Sequence, residues 1–318
     1  MKHLNLDVVT SSHRFMAFEY LPHLKETRQY CVASADYPIT HSIGNNLGTK
    51  LHYKFKFMSR FKFNFSVNTL ARSRSAFSDV TISAGNGIGR EVCRVFAREG
   101  ATVIATDQNI KAATETVATL EGAGHTALDV QVTDRNSVEA AFKHVLKQFS
   151  RPPTVIVNSA GITRDNFLVK LSDNNFDDVI NVNLKGTFLV MQTAVKAMIE
   201  ANATKDSSII NIGSIVGKNG NIGQSNYSAS KAGVVAMTKS ASMEFGQFGI
   251  RVNVVLPGFI DTSMTMTVPD NVKELFIKKI SLQRMGKPQE VAEVIAFLAS
   301  DKSSYVNGAS IEVTGGMH

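Results

Sequence analysis

The sequence predicts an α/β protein whose body is a parallel β-sheet covered by helices on both faces. Three observations predict it. From about residue 78 onward, short apolar runs alternate with longer amphipathic stretches. A glycine cluster, Gly85-Asn86-Gly87-Ile88-Gly89, opens the first helical stretch. The most distinctive polar residues stand just after apolar runs, at the carboxyl ends of the expected strands, where open α/β sheets bind their ligands.

The elements follow in order. Apolar runs at 102–106, 126–130, 154–158, 208–212, 251–256 and 309–313 read as strands, because short stretches of this composition fit a sheet buried on both faces. Helical stretches fall near 88–99, 110–121, 135–149, 172–200, 226–247 and 289–299. Strands joined through helices pair in parallel.

Residues 1–57 have no sustained helical or strand period and are expected to be poorly ordered. Residues 58–77 differ. They begin with Met58, carry Arg60, Lys62, Arg72 and Arg74 among serines and phenylalanines, and contain no acid. That composition suits an organelle transit peptide, here mitochondrial, with Met58 as a start; a long tail without an address fits it as well. The expected organisation is therefore an extension over 1–77 and one domain over 78–318.

Composition excludes several classes. Charged residues make up 19% of the chain and hydrophobic residues 43%, as in a folded globular protein. No apolar run of about 18 residues exists, so no membrane-spanning helix is expected. Cys31 and Cys93 make neither a disulfide framework nor a zinc site, and no metal is expected. Residues 1–77 hold 11 Lys/Arg against 4 Asp/Glu, whereas 78–318 hold 23 of each. The net charge of +7 thus belongs to the extension, and the body carries no electrostatic footprint for nucleic acid. An RNA- or membrane-binding protein would rest on the basic extension alone.

The polar residues point to a dinucleotide site. Gly85, Gly87, Ile88 and Gly89 suit a tight turn that lets the backbone approach a pyrophosphate at a helix N-terminus; such a cluster also fits an ordinary strand-to-helix turn. Asp107 ends the next strand, where a carboxylate accepts ribose hydroxyls and repels a 2′-phosphate; it also fits a helix N-cap. Spacing and placement together favour NAD(H) over NADP(H). Asn158-Ser159-Ala160-Gly161 follows a later strand with small residues that admit a flat ring. Ser214 ends another, and Tyr227 and Lys231 stand four apart on one helix face. A lysine ammonium beside a phenol lowers its pKa, which fits Tyr227 for proton transfer near neutral pH.

Together these residues resemble the short-chain dehydrogenase/reductase family, over about residues 78–318. The resemblance rests on the glycine turn, Asp129-Val130, residues 158–161, Asn183 in NVNLKG, Ser214, the YSASK segment at 227–231 and Pro257-Gly258. It implies a single Rossmann-type, doubly wound parallel sheet. Within the family the chain is most similar to the 3-oxoacyl-[acyl-carrier-protein] reductases and to the type-8 17β-hydroxysteroid dehydrogenase group.

The resemblance implies roles. Tyr227 is the general acid in reduction and the base in oxidation, Ser214 orients the carbonyl, Lys231 holds the nicotinamide ribose, and Asn183 serves a proton relay. Gly85, Gly87, Ile88, Gly89, Asp107, Asp129, Val130, Asn158, Ala160, Gly161, Tyr227, Lys231, Ile260 and Thr262 would hold NAD(H). The implied reaction interconverts a ketone and a secondary alcohol, on a 3-oxoacyl thioester or at C17 of estradiol/estrone. The implied partners are acyl carrier protein and copies of this or a related reductase subunit in a tetramer. The implied compartment is the mitochondrial matrix, otherwise the cytoplasm.

One departure stands out. The family pattern Thr-Gly-x-x-x-Gly-x-Gly is replaced at its first two positions by Ile82 and Ser83, and the preceding strand carries Asp79. A charge in a central strand is costly. This raises the expectation that the segment upstream of residue 82 is not the original first strand, and a second reading of the chain as a catalytically weak subunit of a mixed tetramer. Arg164, Lys278, Lys279 and Arg284 fit either contacts to a carrier protein or a solvated surface. Met264, Met266 and Phe276 fit either a substrate pocket or lid packing.

Overall fold

The computed structural model describes residues 84–317 in full and 78–82 as main chain. The expectations for 1–77, including poor order, a transit peptide at 58–77 and a start at Met58, lie outside the described residues, as does Ser83.

The strands are β1 (Ser78–Ile82), β2 (Thr102–Asp107), β3 (Thr126–Asp129), β4 (Val155–Asn158), β5 (Ser208–Ile212), β6 (Arg251–Pro257) and β7 (Ser310–Val313). They form one parallel sheet in the order β3-β2-β1-β4-β5-β6-β7. The helices are α1 (Gly87–Arg98), α2 (Ile110–Val117), α3 (Arg135–Phe149), α4 (Asp173–Ile180), α5 (Thr187–Glu200), α6 (Ile215–Asn219), α7 (Ser225–Gly246), α8 (Ser263–Met266), α9 (Asp270–Lys278) and α10 (Pro288–Ala299). The chain winds outward from β1 to β3, then returns to start the other half at β4. The crevice for a ligand lies where the winding reverses, at the carboxyl ends of β1 and β4. The segment with Asp79 forms that central β1, with the Asp79 Cα between Val103 and Val155.

Adjacent residues along each strand feed opposite core layers, because successive side chains alternate across a sheet. Val103, Val157 and Ile210 pack with Val92 and Ile295 from α1 and α10. Their neighbours Ile104, Ile156 and Ile209 pack with Phe142 and Met198 from α3 and α5. Both layers are buried, which is why these strands read as continuous apolar runs rather than as alternating ones. Each such side chain stabilises the fold by about 1.5–3 kcal/mol relative to exposure.

The turns out of the strands are fixed by short polar caps. Asn86, Asn109, Asp134, Ser172 and Ser214 accept main-chain N–H bonds at the starts of α1, α2, α3, α4 and α6. The stretch near 172–200 is expected to be helical. It is continuous, but residues Asn181–Gly186 form a π turn between α4 and α5. Such a turn inserts a residue into the helix and redirects the side chains around it. Among the described residues no helix is long and apolar enough to cross a membrane, and no cluster of metal-ligating side chains occurs.

Candidate active site

The glycine turn between β1 and α1 is held from behind. The Arg90 guanidinium donates to the Gly85 carbonyl, and Thr116 Oγ1 donates to the Ala84 carbonyl at 2.8 Å. Gly85 N–H donates to Asp107 Oδ2 at 3.1 Å. A Cβ on Gly85 would stand 2.8 Å from Ala112 Cβ, so the site admits no side chain. Gly87 has φ +52°, which favours glycine. Ile88 and Gly89 complete the first turn of α1, with Gly89 buried. Arg90 and Thr116 thus hold the main chain of the turn at Gly85 and Ala84.

Asp107 is not the helix cap. Asn109 caps α2, while Asp107 Oδ1 accepts from Asn109 N–H at 2.9 Å. Each Asp107 oxygen retains acceptor capacity for a hydroxyl. Val130 N–H donates to the Asp107 carbonyl at 3.1 Å, which brings the end of β3 beside it, with Asp129 exposed and Val130 buried. A cleft of ≈ 90 Å³ runs from Asp107 past Val130 to Ala160 and Gly161. Gln108 and Gln131, both lining it, are joined at 3.2 Å.

The loop after β6 lies over the glycine turn. Asn86 Nδ2 donates to Ser263 Oγ at 2.6 Å, and a Cβ on Gly87 would stand 3.4 Å from Thr262 Cγ2. Ile260 is buried and bridges to Gly286. The donor set, the glycine cradle and the acceptor at Asp107 fit a dinucleotide: Gly85, Gly87, Ile88, Gly89 and Thr262 around a pyrophosphate, Asp107 and Val130 around an adenosine.

Asn158 departs from its expected place. Its side chain turns into the sheet and donates to Asn211 Oδ1 at 2.8 Å; Asn211 Nδ2 in turn donates to Thr238 Oγ1 at 2.9 Å. At the last position of a buried strand, Asn158 Nδ2 satisfies the buried Asn211 oxygen, while its own Oδ1 makes no hydrogen bond to the described residues. Asn158 therefore supports the sheet beneath the crevice rather than lining the cleft with its side chain.

Four residues from three elements (the π turn, the start of α6, and α7) meet at the other end of the crevice. Tyr227 and Lys231 stand one turn apart on α7, with Lys231 Nζ 5.7 Å from the Tyr227 ring centroid. Lys231 is buried and donates to the Ile212 carbonyl at 2.8 Å. Ser214 hydrogen-bonds Tyr227 through its side chain and caps α6 by accepting from Val216 N–H at 3.1 Å. Asn183 sits in the π turn, wholly buried. Its Oδ1 accepts from Ile162 N–H at 2.8 Å, and its Nδ2 donates to the Ile162 carbonyl and to Ser230 Oγ, both at 3.0 Å. A Cβ on Gly161 would come within 3.4 Å of Lys231 Nζ and 3.5 Å of Asn183 Oδ1, so a glycine there keeps this corner open.

The electrostatics differ from the expectation for Tyr227. Burial pushes its pKa above the usual 10, against the Ser214 hydrogen bond, and the Asp165 carboxylate adds to the rise. The Lys231 ammonium points instead at the Ile212 carbonyl and is itself buried. Burial draws the Lys231 pKa down to about 8.

Two supporting residues escaped the sequence reading. Ser230 donates to the Tyr227 carbonyl at 2.7 Å, and its position three residues after Tyr227, on the same helix face, was a usable signal. Asn226 accepts from Tyr227 N–H at 2.8 Å and donates to the Arg164 carbonyl at 3.0 Å, which no spacing announced. On the variable segment, Arg284 is paired with Glu290, and the Phe276 ring packs 5.1 Å from Phe259. Met264 and Met266 are exposed.

The family model described as enoyl-(acyl carrier protein) reductase matches residues 82–318. This chain belongs to the short-chain dehydrogenase/reductase family. The matched region begins at Ile82, the first position of the departure. A (3R)-3-hydroxyacyl-CoA dehydrogenase of Canis lupus familiaris is 49% identical over 256 residues, covering 78% of this chain and 98% of that protein. The human protein of the same name is 49% identical over 255 residues, covering 77% and 97%. A 3-oxoacyl-[acyl-carrier-protein] reductase FabG of Thermotoga maritima is 46% identical over 237 residues, covering 74% and 94%. Among solved structures, one titled as a ribose-5-phosphate isomerase from Brucella melitensis superposes with TM-score 0.71 at 30% identity, covering 76% of this chain and 92% of that one; the likeness concerns the fold. Membership makes this short-chain dehydrogenase/reductase an oxidoreductase of the class that uses a nicotinamide dinucleotide.

Proposed function

We propose that the protein interconverts 3-oxoacyl and (3R)-3-hydroxyacyl thioesters with NAD(H), and that Asn183, Ser214, Tyr227 and Lys231 carry the chemistry. The observation that supports this best is the meeting of those four side chains beside a cleft that ends at Asp107, in a chain about half identical to (3R)-3-hydroxyacyl-CoA dehydrogenases.

When bound, the nicotinamide supplies or accepts the hydride. The residues of this chain manage the proton. Ser214 Oγ orients the substrate oxygen. Tyr227 donates its phenolic proton to that oxygen in reduction and takes it back in oxidation. A phenol whose pKa lies above 10 keeps its proton at neutral pH, which suits the reducing direction. Lys231, held by the Ile212 carbonyl, fixes a positive charge within reach of the phenolate that reduction leaves. Asn183 braces Ile162 and Ser230 and so the main chain on both sides of the site. The Asp107 carboxylate supports a preference for NAD(H), because a 2′-phosphate would meet a like charge.

The same reading includes a mitochondrial location, from the composition of residues 58–77, and a homo- or heterotetramer with a related subunit. The exposed Phe188, Ile199 and Met243 on α5 and α7 are suitable surface for such an assembly. Acyl carrier protein is the proposed thioester carrier, with estradiol as a competing substrate. The test is loss of reduced-nicotinamide absorbance with acetoacetyl-CoA and NADH, repeated with estrone. Turnover of the thioester supports the reading; turnover of estrone alone would replace the substrate, and silence with both would leave the weak-subunit alternative.

A further inference from the structure

We propose that Asp165 is a positioning residue of this site, one that anchors the start of α7 through Gln224 and sets a negative charge at the turn that leads into Tyr227. Asp165 stands in the loop between β4 and α4. Its Oδ2 accepts from Gln224 Nε2 at 2.9 Å, and Gln224 Oε1 accepts from Asn221 Nδ2 at 2.8 Å. The next residue repeats the tie through the main chain, since Asn166 N–H donates to the Gly223 carbonyl at 2.8 Å. On the other side of Asp165, the Arg164 carbonyl accepts from Asn226 Nδ2. The loop 164–166 is therefore fastened at three consecutive residues to the segment 223–226, immediately before Tyr227. Asp165 is the one member of this clasp that joins it through a charged side chain, and a neutral residue would satisfy Gln224 equally well.

The charge has a consequence for the phenol. The charged groups on elements packed against α7 are Asp173, Asp177 and Asp178 on α4, Lys185 in the π turn, Lys196 and Glu200 on α5, Lys218 on α6 and Arg251 on β6. Lys218 is paired with Glu312, and Asp178 lies 3.8 Å from Arg164. Asp165 is fastened through Gln224 to the turn that leads into Tyr227, so its charge disfavours the phenolate. Removing the charge lowers the phenol pKa. Oxidation, which needs the deprotonated form, then gains at a given pH; reduction, which needs the phenol, begins to fail at a lower pH. Asp165 thus biases the site towards reduction.

This inference rests on the reading of Tyr227 as the proton donor, so its test uses a readout that needs no turnover. Full-length protein carrying ¹³C at the tyrosine ζ carbon is titrated by NMR, with Tyr227→Phe assigning the resonance. Asp165→Asn, which keeps the acceptor for Gln224, should titrate lower by about half a pH unit, the size of one screened charge nearby. Asp165→Glu should restore the wild-type value. Molar salt should move the wild type in the same direction as Asp165→Asn, and this holds the proposal open to disproof if that variant does not fold. Gln224→Leu, which keeps the charge, should lower kcat in thioester reduction by roughly three- to tenfold with KM unchanged. Unchanged titration in both Asp165→Asn and molar salt would overturn the proposal. Absence of turnover with a normal shift would instead count against the functional reading alone.

Discussion

Lys231 donates to the main-chain carbonyl of Ile212 at 2.8 Å, while the Tyr227 ring centroid lies 5.7 Å from its Nζ. The lysine is thus positioned by the end of β5 and only then presented to the tyrosine. Its burial has a thermodynamic cost that can be read in solution. The folded pKa, about 8, lies below the unfolded 10.5. Between those values the unfolded chain binds the extra proton, so this group's contribution to stability rises with pH across that window. Relative to Lys231→Met, the wild type should gain on the order of 3 kcal/mol from below pH 8 to near pH 10. Denaturant unfolding of both proteins at the two pH values checks it; a parallel pair of curves would contradict it. Above pH 10 the raised pKa of Tyr227 works the other way, because the unfolded chain then loses its proton first.

Asp107 is expected to select the cofactor. Asp107→Asn keeps an acceptor for Gly85 N–H but removes the charge. The ratio of kcat/KM for NADH over NADPH should fall by roughly 10²-fold, the equivalent of about 3 kcal/mol of relieved repulsion. Steady-state kinetics with both cofactors reads it directly.

Gly85→Ala tests the turn. The new methyl would stand 2.8 Å from Ala112 Cβ and 2.9 Å from Asp107 Oδ2. Overpacking of this kind costs about 1–3 kcal/mol. Thermal unfolding should show a lower Tm, and a fluorescence titration with NADH should show weaker binding, because the displaced group is Asp107 itself.

Asn183→Ala leaves the Ile162 N–H without its acceptor and the Ile162 carbonyl without its donor. An unpaired buried polar group costs about 1–3 kcal/mol. We expect a destabilised protein whose kcat falls more than its KM rises, measured by denaturant unfolding and by kinetics at saturating thioester.

Much of this was legible in the residues. The strands lie within a residue or so of the apolar runs, because a sheet buried on both faces admits few polar residues and the turns between elements are rich in Gly, Asn and Asp. Asp107 ends β2 and Ser214 stands just past β5, where the apolar runs before them led. The π turn at Asn181–Gly186 was not legible, since one inserted residue leaves the apolar period nearly unchanged. The inward turn of Asn158 was not legible either, because its partner Asn211 lies on another strand and only the parallel register brings them together. The rise in the Tyr227 pKa reflects burial and a charge on Asp165, 62 residues away in sequence. Spacing within α7 could report only its neighbour Lys231.

The central claim is that Tyr227 passes the proton in an NADH-dependent reduction of a 3-oxoacyl thioester. The measurement that bears on it most directly is acetoacetyl-CoA reduction by wild type and Tyr227→Phe, with NADH and NADPH in turn, alongside circular dichroism of both proteins. The account predicts turnover with NADH well above NADPH in the wild type, and a loss of about 10²–10⁴-fold in Tyr227→Phe with folding unchanged. Equal rates in a folded Tyr227→Phe protein would contradict it.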